Sequence, residues 1–134
     1  MNRETVINAI EQAAATSGYK FHCDDEQQML VAVKEYPTLW LTPPQFLKIE
    51  GRKSGKITYS VKVYGLVDGV RFSPAERLDK LNRLEEDVMQ MFAAVSQNEA
   101  VVAVNNLKMN QELQSRTRQG ELVMTATAEV VTLF

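Results

Sequence analysis

One cysteine and one histidine are all this chain holds of two residue types that carry much of protein chemistry. A lone Cys23 excludes an internal disulfide framework. Charge of one sign is also missing: 15 Lys and Arg stand against 17 Asp and Glu, for a net −2 and a pI near 5.5. That balance argues against a protein whose main task is to coat nucleic acid or an anionic membrane. No apolar run approaches the ~20 residues that a membrane helix needs. Met1-Asn2-Arg3-Glu4-Thr5 lacks the apolar core of a signal peptide. A soluble chain kept in a reducing compartment is the expectation. Internal repeats and low-complexity stretches are absent as well. What is present is 134 residues, 45% of them hydrophobic, which fits one domain over 1–134. A chain of this size buries roughly two-thirds of its unfolded surface, so it can build its own core.

The apolar spacing then places the elements. Val6, Ile10, Ala13 and Ala14 recur at helical period between Glu4 and about Thr16, and Gly18 stops the helix. Tyr19 to Cys23 is too short to assign. Asp24, Asp25 and Glu26 suit the start of a short helix over Gln27 to Lys34, although Val31 and Val33 also fit a strand. Tyr36-Pro37 ends that segment. Thr38-Leu39-Trp40-Leu41 reads as a compact strand closed by Pro43-Pro44, and Phe46, Leu47 and Ile49 mark a second extended piece. After a polar turn at 51–56, Ile57 to Val67 alternates: Ile57, Tyr59, Val61 and Val63 face one way, Thr58, Ser60 and Lys62 the other. Ser73-Pro74-Ala75-Glu76 is a capping box with Pro at the first helical position. It launches a helix to about Gln97, with Leu78, Leu81, Leu84, Val88, Met91, Phe92 and Val95 on one side. Val101 to Leu113 is a looser strand with a bulge or turn at Asn105-Asn106. Glu121 to Phe134 is a long final strand. The expected fold class is α+β: an antiparallel sheet of about four main strands with two helices packed on one face.

Catalytic and metal sites find little material. A Ser-His-Asp triad would have to be built around His22, and no Gly-x-Ser-x-Gly elbow exists. Cys23 is the direct neighbour of His22, and adjacent residues in an extended segment point to opposite faces, so a Cys-His pair is poorly arranged. His22, Cys23, Asp24, Asp25 and Glu26 have the side-chain types of metal ligands. Nothing completes a zinc set, and the calcium-loop spacing is absent. Gly51-Arg52-Lys53-Ser54-Gly55-Lys56 is one residue too short between its glycines for a phosphate loop, and it leads into a strand instead of a helix. The expectation is a protein that is not an enzyme and uses no cofactor or metal.

Two basic turns and an apolar end remain. Arg52, Lys53 and Lys56 lie on one turn, Arg116 and Arg118 on another. If the hairpins lie side by side, the turns form one positive patch able to contact DNA phosphates or an acidic protein surface. Val130, Val131, Leu133 and Phe134 put apolar groups on both faces of the last strand, where chain ends are usually polar and frayed. Eleven residues from Ile57 to Val67 span ~36 Å, well beyond a typical strand of ~5–6 residues. Candidate interface residues are therefore Arg52, Lys53, Lys56, Arg116, Arg118, Val131, Leu133 and Phe134, with a second copy as the expected cover.

The arrangement is similar to that of the tail-terminator and tail-completion proteins of long-tailed bacteriophages, including minor tail proteins of prophages. The likeness lies in five features: the N-terminal amphipathic helix, the Tyr36-Pro37-Thr38-Leu39-Trp40-Leu41-x-Pro43-Pro44 stretch, the long strand to Val67, the helix launched by Ser73-Pro74-Ala75-Glu76-Arg77, and two closing strands. It spans nearly the whole chain as an arrangement and carries over no catalytic residue. The resemblance implies a structural component of the virion, assembled in the bacterial cytoplasm. Its copies would form a ring at the head-proximal end of the tail tube. Implied partners are sister copies and tail-tube or head-tail connector proteins, with DNA passing through and no membrane. The alternatives are a connector ring, or a small module that binds nucleic acid through the basic hairpin tips.

Overall fold

The computed structural model describes residues 2–69, 72–112, 117 and 119–134. In chain order the elements are α1 (Asn2–Thr16), β1 (Lys20–Cys23), a 3-10 turn (Glu26–Gln28), α2 (Met29–Ala32), β2 (Thr38–Leu41), β3 (Gln45–Gly51), β4 (Gly55–Val67), α3 (Pro74–Gln97), β5 (Val101–Glu112) and β6 (Leu122–Leu133). The fold is α+β. The sheet has six strands in the order β1-β2-β4-β6-β5, with β3 also paired to β4. It is mixed, because β1 runs parallel to β2. The expected antiparallel sheet of about four strands thus gains two short strands, one of them in parallel pairing.

β4 is the spine. Its whole length pairs with β6 on one side, from Lys56 opposite Leu133 to Val67 opposite Leu122. On its other side it carries two strands in succession. β2 takes the Val63–Leu66 half and β3 the Gly55–Ser60 half. Pro43 and Pro44 fall between them, where a missing N–H costs the ladder least.

Alternation along β4 and β6 separates two cores. Val61 and Val63, with Met124, Ala126, Ala128 and Val130, meet Val6, Ile10 and Ala13 of α1 and Leu84, Val88, Met91 and Val95 of α3. Gly65 allows α3 to come close: a Cβ there would stand 2.8 Å from Leu84 Cδ1. The second core lies on the opposite face, where α2 covers Trp40, Tyr64, Leu66 and Val123 with Met29 and Val33. Helices on one face only was the expectation; the third helix on the other face is the correction. The polar face read at Thr58, Ser60 and Lys62 turns apolar at Tyr64 and Leu66, and that half of the sheet needs a cover of its own.

The expected capping box is present, with Glu76 N donating to Ser73 Oγ at 3.2 Å and Ser73 N to Glu76 Oε1 at 3.4 Å. The bulge in β5 falls after Asn105, with Asn106 at φ 56°. Leu78 departs from expectation: at 58% exposure it stands outside the core. None of the helices is long and apolar enough to cross a membrane, among the described residues.

Candidate interaction surface

The Gly55 end of the sheet is uncovered. All seven residues of β3 are exposed, including Phe46 at 53%, Leu47 at 49% and Ile49 at 55%. A register shift between Phe46 and Lys48 makes Leu47 a bulge. Phe46 and Ile49 consequently lie on the same side, opposite Tyr59 and Ile57, while Lys48 and Glu50 point the other way and pair at 3.3 Å. Phe134 joins this side from the neighbouring strand. Its N–H donates to Gly55 O at 3.0 Å. Ile57 is half-buried between them. Phe46, Ile49, Ile57 and Phe134 thus make one apolar strip on the helix side of the sheet, just past the start of α1. That start is tied down: Asn2 Nδ2 donates to Thr132 Oγ1 at 2.8 Å and Leu133 O at 2.7 Å, and Arg3 Nε to Pro44 O at 3.1 Å.

Arg52 and Lys53 stand exposed in the turn that joins β3 to β4, and Lys56 is exposed on β4 beside Glu50 and Leu133. No acidic residue occurs from Gly51 to Val67, so the turn is positive and borders the apolar strip. Leu133 is 63% and Phe134 40% exposed, as an interface requires. Val131 is a correction: it is 8% exposed, paired with Thr58 and Ala103 inside its own sheet.

Arg116 and Arg118 lie outside the described residues. The described residues nearest them in sequence, Thr117 and Glu121, sit at the Val67 end of the sheet. Thr117 N donates to Glu121 Oε1 at 2.8 Å, and the Tyr36 and Thr117 hydroxyls are 2.7 Å apart. Glu121 leads into Leu122, opposite Val67. Gly55 and Val67 are twelve residues apart along one strand, ~40 Å. Arg52 and Lys53 belong to the Gly55 end, whereas Thr117 and Glu121 are at the Val67 end; the expected joint patch with Arg116 and Arg118 lies outside the described residues. The extended piece at Phe46, Leu47 and Ile49 was legible in the sequence, but not that these apolar residues of β3 stand exposed.

Other polar groups are spoken for. His22 stacks on Trp40, ring centres 5.3 Å apart, and Trp40 Nε1 donates to Asp24 O. Burial, then Asp24 and Glu11, raise the exposed Cys23 thiol away from its reactive thiolate form. Tyr64 donates to Glu26 Oε2 at 2.5 Å and Tyr19 to Asp87 Oδ2 at 2.8 Å; in each, burial first and the carboxylate second push the phenol's pKa up. Burial also raises Tyr36. A hollow of about 710 Å³ is lined by Arg3, Asp25, Glu26, Phe46 and Lys62 among others and includes neither His22 nor Cys23. Among the described residues, no three His, Cys, Asp or Glu side chains gather as metal ligands would.

No protein-family model and no curated protein matches the chain. Among solved structures it is similar to the type 4 fimbrial biogenesis protein PilO from Pseudomonas aeruginosa, at 11% identity and a TM-score of 0.43, over 96% of this chain and 67% of that one. A likeness that loose carries no function, so the uncovered strand end is what this chain itself offers as a site.

Proposed function

We propose that this chain is a non-enzymatic structural component of a phage or prophage tail. Its copies close into a ring that terminates or joins the tail tube at the head-proximal end. The observation that carries the reading is β3: seven exposed residues with Phe46, Leu47 and Ile49 about half exposed, Phe46 and Ile49 continuing through Ile57 to Phe134. Water-exposed apolar groups clustered on an open sheet edge are a hazard unless another chain covers them. A second copy does so without leaving a free edge if the contacts close on themselves. The arrangement of elements, similar to that of tail-terminator proteins, supplies the setting. Sister copies and tail-tube or connector proteins are the partners, the virion is the location, and DNA passes without being gripped. Electron microscopy of the concentrated protein, alone and with purified tail-tube protein, tests this. Rings of uniform diameter, or caps on tube ends, are expected. Single particles that ignore the tube would overturn the reading.

A further inference from the structure

We infer that the β3–β4 end of one copy docks on the outer flank of α3 in the next, its basic turn against acidic side chains there. This rests on the ring reading and names the two surfaces that the ring would join.

The receiving surface follows from helix geometry. Leu78 is 58% and Met89 50% exposed. They are eleven residues apart, which is three turns plus ~20° at 100° per residue, so they share a stripe ~16 Å long. Glu85 lies between them on that stripe, and Glu86 and Asp79 lie about 60–100° round the helix from it, toward solvent; all three are exposed. The basic residues of α3 are engaged elsewhere. Arg77 Nη1 donates to Gly69 O at 2.9 Å, and Lys80 Nζ stands 4.1 Å from the Phe72 ring centre. Arg83 lines a hollow with Lys80, Tyr19 and Asp87. The stripe is therefore apolar at both ends and acidic between, the inverse of an apolar strip bordered by Arg52, Lys53 and Lys56.

The two surfaces also lie on opposite sides of the subunit. Asp87 holds Tyr19, just past α1, and is nine residues from Leu78, half a circle round the helix. The Leu78–Met89 flank thus faces away from α1. Since α1 packs over β1 and α3 over β5, that flank looks toward the β5 edge. β3 is on the other edge, the β2 side of β4. Unlike patches on opposite sides join head to tail, the contact that repeats around a ring.

The test is a charge swap, with mass read by light scattering at several protein concentrations and circular dichroism confirming the fold. R52E/K53E and E85K/E86K should each raise the concentration needed for assembly about tenfold or more, by turning attraction into repulsion. Combining all four substitutions should restore assembly to near the wild-type concentration. Failure of the combination to restore it, with wild type assembling, overturns this docking and leaves the ring reading standing. Reversed variants that assemble normally but lose binding to tail-tube protein also overturn it, assigning the strand end to that partner. A wild type that stays monomeric at every concentration removes the ring reading itself.

Discussion

Leu84 and Leu78 are the same residue type, six residues and about 120° apart round one helix, with opposite surroundings. Leu84 is fully buried and Leu78 is 58% exposed. Leu84 packs where α3 comes down on Gly65 of β4. Replacing it with Ala leaves a hole that this neighbour cannot fill, because Gly65 has no side chain to swing inward. The strand beneath is held by β2 on one side and β6 on the other, so it cannot sink into the gap. The site should therefore sit in the middle to upper part of the range for buried Leu→Ala, about 3 to 4 kcal/mol. With 134 residues at ~0.05–0.15 kcal/mol each, total stability is on the order of 7–20 kcal/mol, so the loss is large. An unfolding entropy of ~2.1 cal/mol/K per residue turns the loss into a Tm drop of about 12 °C. Leu78→Ala removes the same atoms from water-facing surface and keeps a strong helix former, so it should stay within ~0.5 kcal/mol. Urea unfolding of both variants at low protein concentration gives the answer, with unchanged m-values as the check on a common unfolded state. Equal losses from the two substitutions, or a Leu84→Ala cost under about 1 kcal/mol, would refute the packing of α3 described above.

Three further outcomes follow from local chemistry. Tyr19, Tyr36 and Tyr64 all have pKa values raised in the folded chain. The fold therefore holds its phenol protons longer than the unfolded chain does, whose phenols titrate near ~10. The stability this contributes is complete below that pH and is lost as pH climbs above it. Urea midpoints should fall from pH 9.5 upward (roughly one unit is enough to see the slope) and fall less in Tyr64→Phe; a flat or rising profile would contradict the phenol environments. Ser73→Ala removes the cap on Glu76 N and should cost about 1 kcal/mol by thermal unfolding, with Ser73→Thr close to wild type. Gly55→Ala would put a Cβ 1.8 Å from Glu50 O, so the turn between β3 and β4 must open. Trypsin should then cut at Arg52, Lys53 or Lys56 faster than in wild type, while the α3 core keeps its thermal transition.

The legible parts of the fold were those whose signal is local. The Ser73–Glu76 box and the 3.6-residue spacing to Val95 fix α3 without reference to anything else. Strict alternation did the same for β4 and β6. β1 was not legible: four residues have no period to show, and its parallel partner β2 begins eighteen residues later. The second core was visible in principle, because the even positions of β4 change from Ser60 and Lys62 to Tyr64 and Leu66. Leu78 reads as part of the periodic stripe, but at ~100° per residue it lies about 120° round the helix from Leu84, on the exposed flank with Met89. The site was half legible. The apolar Leu133 and Phe134 stood out, whereas the burial of Val131 depends on which strands pair. Strand pairing is set by contacts between distant segments, and no short stretch of sequence records it.

On the proposed ring, the uncovered β3–β4 end exists to be covered by another copy. The most direct measurement is the solution mass of the purified chain by light scattering, from dilute to concentrated, beside the variant Phe46→Ser/Ile49→Ser. Wild type should rise to a single fixed multiple of 15.1 kDa, and the variant, folded by circular dichroism, should remain at one. A wild type that weighs one subunit throughout, or a variant that assembles as well as wild type, would contradict the claim.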